Sequence, residues 1–380
     1  MPPSMNRAAW IERPRAQIRV ADAPYTKPGA DQVVVRVHAV AINPVDWIIQ
    51  LAGGLAYRWL KYPAVIGSDV AGEVEAVGND VTRFRVGDRV LAHVVGPDKD
   101  SNTAAEGAFQ YYSVALERMT CEIPDAMPFE EAAVLPLAVS TASCGLFQTD
   151  FLGLRHPTTN PESTGETLLV WGGSTSVGSQ AIQLAVAAGY DVVSTASPSN
   201  FNYVSKLGAT QVFDYHSDTV IDDIIAAFAG RRLAGAIAFG QTSGDACVRI
   251  VAKCRGKKFV ALASPAVSFA SLGEPGHGRF AVYGIARRLI TSSIGLQLRS
   301  RARGVGSKNI YGTTLKNNEV STAVYRDFLP AALANGSYAA VPAPQIVGTG
   351  LEHVQQAIEL QRQGVSASKI VVRLPVAQGE

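Results

Sequence analysis

Residues 165–190 read Gly165-Glu-Thr-Leu-Leu-Val-Trp-Gly-Gly-Ser-Thr-Ser-Val-Gly-Ser-Gln-Ala-Ile-Gln-Leu-Ala-Val-Ala-Ala-Gly-Tyr190. An apolar strand, Leu168–Trp171, runs into a turn of small residues, Gly172–Gly178, and a helix follows with Ile182, Leu184 and Ala185 among its packing residues. This is the opening strand, turn and helix of a dinucleotide-binding βαβ unit. A turn without bulky side chains lets a pyrophosphate approach the backbone. The helix N-terminus then offers free N–H groups and a partial positive charge. Gly172, Gly173, Ser174, Thr175, Ser176, Val177 and Gly178 are therefore the expected phosphate cradle. The spacing is not a strict GxGxxG, and Thr175 and Ser176 stand where a related loop carries glycines; they are read as extra hydroxyl donors to the cofactor. By itself the turn is equally a plain strand–helix connection.

The rest of the chain narrows the choice. Its 380 residues suffice for two domains or one large one. Apolar residues make up 47% and charged residues 17%, which supports a packed core and argues against wholesale disorder. A net charge of +2 leaves nucleic-acid binding to be judged from local clusters. Cys121, Cys144, Cys247 and Cys254 have no CxxC spacing and fit reduced thiols. Met1–Trp10 lacks the apolar core of a secretory signal, and no apolar run reaches the ~18 residues of a membrane span. A soluble, cytoplasmic protein without a membrane partner is expected.

The grammar changes along the chain. Residues 1–130 are β-rich, with strand patterns at Gln32–Ile42, Asp69–Val77 and Arg89–Val95. Glu130–Ala142 is helical and interrupted by Pro136. Strands at 168–171, 191–195, 211–214, 234–239 and 258–263 then alternate with helices near 177–188, 201–207, 219–228 and 244–254. That alternation predicts a parallel, doubly wound sheet. A Gly- and Arg-rich segment, 264–307, breaks the rhythm. Asn309–Thr314 reads as one more strand, followed by a helix over Val320–Ala334, a short strand near Pro344–Ile346, a helix over Glu352–Gln363 and a last strand, Lys369–Leu374. A cofactor and a substrate would meet in a cleft between two such domains.

Seven pieces occur in order: Asn43-Pro44-Val45-Asp46, Gly67-Ser68-Asp69-Val70-Ala71-Gly72-Glu73-Val74, Val86-Gly87-Asp88-Arg89-Val90, Glu106-Gly107-Ala108-Phe109, the turn after Leu168, Lys206-Leu207-Gly208-Ala209 and Lys369-Ile370-Val371-Val372. Over residues 7–375 the chain resembles the medium-chain dehydrogenase/reductase superfamily. Within it, the chain is similar to the zinc-independent quinone oxidoreductases and the fungal trans-acting enoyl reductases that serve polyketide synthases. The resemblance implies an α/β protein, with a β-rich GroES-like catalytic domain (1–130 and 316–380) and a Rossmann doubly wound nucleotide domain (131–315). The Arg-rich segment is then an insertion near 264–307.

Zinc-dependent members carry a Cys and a Gly-His-Glu segment as ligands. Asn43 and Gly67-Ser68-Asp69 stand there instead, and Asn and Ser are poor zinc donors beside thiolate and imidazole, so no metal is expected. The strand after the cradle ends Ser194-Thr195-Ala196-Ser197-Pro198-Ser199-Asn200, without the carboxylate that NAD sites place on the ribose. NADPH is therefore the expected cofactor, with Ser197, Ser199, Asn200 and, by family position, Tyr215 at its adenosine end, and Lys206 as a counter-charge. Ser197–Asn200 read equally as a turn and helix cap. Asn43, Pro44, Asp46, Leu262, Ala263, Ser366 and Lys369 are expected to contact the cofactor as well.

In this branch a hydride passes to a carbon conjugated to a carbonyl, and the enolate needs hydrogen-bond donors and a proton. Family position makes Thr141, Asn43 and Trp47 the catalytic candidates, and Pro136, Val139, Ser140, Thr141 and Tyr283 the substrate pocket. Asp46 reads as a general acid or as a helix cap. Relatives often place a lysine after the Trp of this motif; here it is Ile48. The implied activity is NADPH-dependent reduction of an enone or enoyl thioester, with a polyketide synthase or acyl carrier protein as a partner. The alternatives are a quinone or small-enone reductase, and an isomerase-type or nucleotide-binding protein without redox activity. Arg279, Arg287, Arg288, Arg299, Arg301 and Arg303 would suit an acidic carrier or a solvated face. They lack interleaved aromatics, so no nucleic acid is expected. The apolar residues among them fit a substrate wall, core or a subunit contact, and the chain is expected to be a monomer or a homodimer.

Overall fold

Strand–turn–helix repeats need a parallel sheet to close on, and the chain builds one between Ala138 and Val324. Residues up to Leu137 and from Tyr325 onward form a second compact unit. The structure is a computed structural model and describes residues 5–240, 243–263 and 279–375.

The first unit opens with β1 (Met5–Ile11), β2 (Arg19–Pro24), β3 (Gln32–Ala41), α1 (Pro44–Ala56), β4 (Ala64–Val65), β5 (Asp69–Val77), β6 (Arg89–His93), β7 (Tyr112–Leu116), β8 (Thr120–Glu122) and α2 (Phe129–Ala132). The nucleotide-type unit follows: α3 (Pro136–Phe147), β9 (Glu166–Trp171), α4 (Ser176–Ala187), β10 (Asp191–Ala196), α5 (Phe201–Lys206), β11 (Gln211–Asp214), α6 (Val220–Ala227), β12 (Arg232–Ala238), α7 (Ser243–Lys253), β13 (Phe259–Leu262), α8 (Arg279–Ala302) and β14 (Gly306–Asn309). The chain ends with α9 (Glu319–Thr322), a π-turn over Ala323–Phe328, α10 (Leu329–Ala334), β15 (Ala343–Thr349), α11 (Val354–Gln363) and β16 (Ser368–Arg373).

In the first unit β3 is the spine. It pairs antiparallel with β5, β7 and β16 in a sheet ordered β15-β16-β3-β5-β6-β8. Val33, Val34 and Val35 are all buried, so the period-2 pattern of the sequence gives way to a strand covered on both faces. The β3–β16 pairing brings the C-terminal strand beside the start of α1, with Val371 opposite Ala41. It thereby sets residues near Lys369 next to those near Asn43.

The other sheet is all parallel, in the order β11-β10-β9-β12-β13-β14. Numbered from β9, this is 3-2-1-4-5-6, the doubly wound dinucleotide-binding order. The strand order reverses between β9 and β12, and ligands of such sheets bind outside the strand C-termini at that switch point. The turn after β9 lies there.

The helical segment is interrupted at Pro136 as expected: α2 ends at Ala132, and Pro136 stands first in α3, where its missing N–H costs nothing. Two expectations change. The strand sought at Asn309–Thr314 is Gly306–Asn309, and Gly312–Asn317 is a 3₁₀ helix. The Arg-rich segment is not a break in the rhythm, because α8 is the crossover helix between parallel strands β13 and β14. Residues 264–278 of that segment lie outside the described residues.

Candidate active site

Two constellations emerge, one in each unit. The first is the turn between β9 and α4. Gly172 adopts φ +87°, a conformation that favours glycine. Its N–H donates to Thr195 Oγ1 at 2.9 Å, and the Gly173 N–H donates to the Thr195 carbonyl at 2.8 Å, which pins the turn to β10. A Cβ on Gly173 would lie 2.2 Å from Ser194 Oγ, and one on Gly178 would lie 2.2 Å from the Gly172 carbonyl oxygen. The glycines thus let strand and helix close on each other.

Thr175 is the N-cap of α4. Its Oγ1 accepts from the Gly178 N–H at 3.0 Å and donates to the Gly172 carbonyl at 2.8 Å. Its one hydroxyl proton is engaged within the turn, so the reading of Thr175 as a hydroxyl donor to a cofactor is corrected to a cap. Ser176 differs: its Oγ is buried and has no hydrogen-bond partner. The Ser176 and Val177 N–H groups belong to the first turn and have no intrahelical acceptor. An orphaned hydroxyl beside open N–H groups at a positive helix end fits a phosphate.

Thr175→Val should destabilise the nucleotide unit by about 1 kcal/mol and weaken nucleotide binding through a frayed first turn. Urea unfolding and a thermal-shift titration check this. Wild-type values in both would contradict the cap.

At the ribose end, Ser197 and Ser199 hydroxyls lie 3.3 Å apart and Asn200 Nδ2 donates to Ser197 Oγ at 3.1 Å. These side chains make a turn among themselves. Tyr215 is 42% exposed and stacks on His216 with centroids 4.0 Å apart. Sequence reasoning missed Asp214. β10 itself ends without a carboxylate, but Ala196 pairs with Asp214 on β11. The Asp214 carboxylate accepts from the His216 backbone N–H at 3.0 Å and lies 2.9 Å from its Nδ1, contacts that hold its pKa below the ordinary range. Lys206 is exposed at the end of α5.

Leu262 and Ala263 sit at the C-terminal end of β13, where the Ala263 N–H donates to the Ala238 carbonyl. On α3, Pro136, Val139 and Ser140 are buried, whereas Thr141 is partly exposed. Thr141 Oγ1 lies close to the backbone of Gly312, where an added Cβ would approach it to 2.7 Å. Tyr283 falls within α8, and its side chain lies outside the described residues.

The second constellation is a buried polar cluster in the first unit. Asn43, the N-cap of α1, is 1% exposed and Asp69 fully buried. Asn43 Nδ2 donates to Asp69 Oδ2 at 2.7 Å, and the Lys369 ammonium donates to Asn43 Oδ1 and lies 3.1 Å from Asp69 Oδ2. Asp69 Oδ1 accepts from the Leu137 N–H at 2.6 Å, which ties the first turn of α3 to the cluster. Asp46 accepts from the Asn43 N–H at 2.7 Å through Oδ2, while its Oδ1 is buried without a partner. Burial, reinforced by the nearby Asp69 charge, pushes the Asp46 pKa up to about 8. Lys369, read from sequence as a nicotinamide contact, is thus the counter-ion of this cluster, 326 residues from Asn43. Ser366, just before β16, is exposed, as is Pro44 at the start of α1.

Trp47 does not supply a free donor. Its indole N–H donates to Gln361 Oε1 on α11 at 2.7 Å, and the residue is 9% exposed. With Gln50 Nε2 donating to Gln355 Oε1 at 2.8 Å, it fastens α1 to α11. Its indole N–H is therefore engaged in packing rather than free to meet a substrate.

The chain is similar to known proteins over nearly its whole length. The alcohol dehydrogenase GroES-like domain family matches residues 29–125. A dehydrogenase, pigH, of Monascus ruber is 49% identical over 97% of this chain and 99% of its own length. A trans-enoyl reductase, himH, of Aspergillus japonicus is 38% identical over 97% and 98%. A mycobacterial protein solved with NADPH superposes with a TM-score of 0.66 at 23% identity, covering 97% of this chain and all of that one. The chain belongs to the medium-chain dehydrogenase/reductase superfamily, a family of oxidoreductases.

Proposed function

We propose that the chain is an NADPH-dependent, zinc-independent reductase of an activated carbon–carbon double bond, acting on an α,β-unsaturated carbonyl carried as an enoyl thioester. The observation that carries this reading is the cradle at the switch point: Gly172–Gly178, the Ser176 hydroxyl and the open first turn of α4. Relatives whose names state trans-enoyl reductase support the enoyl substrate.

Zinc does not suit the residues at the corresponding positions. Both Asp69 oxygens are engaged, the Asn43 amide bridges Asp69 and Lys369, and the ammonium already supplies the positive charge. Among the described residues no group of three His, Cys, Asp or Glu could hold a metal. The Asn43–Asp69–Lys369 donor set is suited to hydrogen bonding rather than to the Lewis acid that would support reduction of a simple carbonyl to an alkoxide. Conjugate reduction asks less, because the charge delocalises into an enolate that hydrogen bonds can hold.

When bound, NADPH supplies the hydride. Ser176 and the N–H groups of Ser176 and Val177 hold its phosphates. Ser197, Ser199, Asn200 and Tyr215 receive the adenosine end, where the C-terminal end of β10, Ser194–Ala196, carries no carboxylate and the neighbouring Asp214 of β11 is engaged by His216. Thr141, the partly exposed hydroxyl of α3, donates to the carbonyl oxygen and holds the enolate. The Asn43–Asp69–Lys369 cluster fixes the start of α1 and holds the Leu137 N–H.

NADPH should raise the melting temperature more than NADH does at equal concentration. Thr141→Val should lower kcat by about 10²-fold, the scale of one lost oxyanion donor, while NADPH affinity holds. Equal shifts with both nucleotides would remove the cofactor assignment, and an unchanged kcat would remove Thr141.

A further inference from the structure

Helix α8 has two apolar faces. One packs inward: Ile285 is 5% exposed, Leu296 packs against the core cluster that includes Cys247, Val251 and Leu262, and the Ser300 hydroxyl donates to the Val305 carbonyl. The other carries Ile290, Ile294 and Leu298, which are 60%, 53% and 60% exposed. Spaced i, i+4 and i+8, they form one stripe about 80° wide. Arg287 and Arg301 fall on the same stripe, one residue-triplet before Ile290 and one after Leu298, and bracket it with positive charge. Arg288, Arg299 and Arg303 are exposed beside it, and Arg299 is ion-paired with Asp245 at 2.8 Å. No acidic residue occurs between Arg279 and Gly304.

Single exposed leucines need no explanation, but three in register over two turns form the anchor pattern of a helix-binding surface. Charge selects the occupant. A second α8 would set arginines against arginines, which like-charge repulsion opposes. An acidic helix with its own apolar i, i+4 residues matches both the stripe and its brackets. We infer that this face of α8 docks the acidic helical surface of the carrier protein that delivers the enoyl thioester. The inference rests on the proposed function for its substrate and on α8 for its place.

The test compares the full-length wild type with Ile294→Asp and with Arg287→Glu/Arg301→Glu, all at exposed positions. The probes are a crotonyl-loaded acyl carrier protein and the crotonyl thioester of N-acetylcysteamine. Fluorescence anisotropy of the labelled carrier should report binding that weakens about tenfold or more in each variant. Wild-type binding should weaken steeply toward about 1 M salt, where the screening length is ~3 Å. KM for the carrier-bound substrate should rise with kcat held, and turnover of the free thioester should not change. Undetectable carrier binding by the wild type, or equal binding by all three proteins, overturns the docking face. So does a variant defect confined to phosphatidylserine-containing vesicles, or a changed oligomeric state with carrier binding intact. If the wild type oxidises no NADPH with the free thioester, the proposed function fails, while anisotropy still reads the docking face.

Discussion

Lys369→Met should destabilise the first unit by about 3–5 kcal/mol, the cost of leaving one partner of a buried ion pair uncompensated. The Lys369 side chain is 5% exposed and that of Asp69 0%, so water cannot replace the lost ammonium. The penalty falls on Asp69, whose carboxylate keeps the Leu137 N–H and Asn43 Nδ2 but loses its counter-charge. Lys369→Met/Asp69→Asn should therefore recover most of the loss, since the Asn43 amide can turn to meet a neutral partner. Urea unfolding of the single and double variants measures the coupling. A single variant within about 1 kcal/mol of wild type, the range of exposed pairs, would mean that the ammonium is not the cluster's counter-ion.

Asp46→Asn should remove a pH dependence of stability. Burial raises the folded pKa of Asp46 to about 8, well above its ordinary 3.8. Between those values the folded chain holds a proton that the unfolded chain releases, so rising pH favours unfolding. The contribution changes by up to about 1.4 kcal/mol per pH unit, or about 3 kcal/mol from about pH 5 to about pH 7. Below the lower value and above the upper one it is flat. The asparagine keeps an oxygen for the Asn43 N–H and removes the titration. Its stability relative to wild type should thus climb with pH across that window. Parallel stability profiles for the two proteins would show that Asp46 titrates normally.

The nucleotide unit was legible because its signals are local. Alternating strands and helices specify a parallel sheet, and the small residues after Trp171 mark the turn that the switch point requires. The buried cluster was half legible. Asn43 and Ser68 read as poor zinc donors, but the partnership of Asn43 and Asp69 with Lys369 depends on β16 pairing with β3, which no spacing reveals. Trp47 looked like a donor because Gln361, its acceptor, lies on a distant helix. α8 escaped notice as a helix for another reason: apolar residues on both its faces blur the 3.6-residue period by which helices are read. Thr175 shows the limit of residue type alone. A hydroxyl in a cradle can serve the ligand or the turn, and only its two hydrogen bonds identify it as a cap.

Purified protein incubated with NADPH dideuterated at C4 and crotonyl N-acetylcysteamine thioester, followed by mass spectrometry and NMR of the product, addresses the proposed reaction itself. The saturated thioester should form with one deuterium on its β-carbon, in step with NADPH oxidation and without added zinc. Recovery of unreduced thioester, or deuterium on a carbinol carbon, would contradict the assignment.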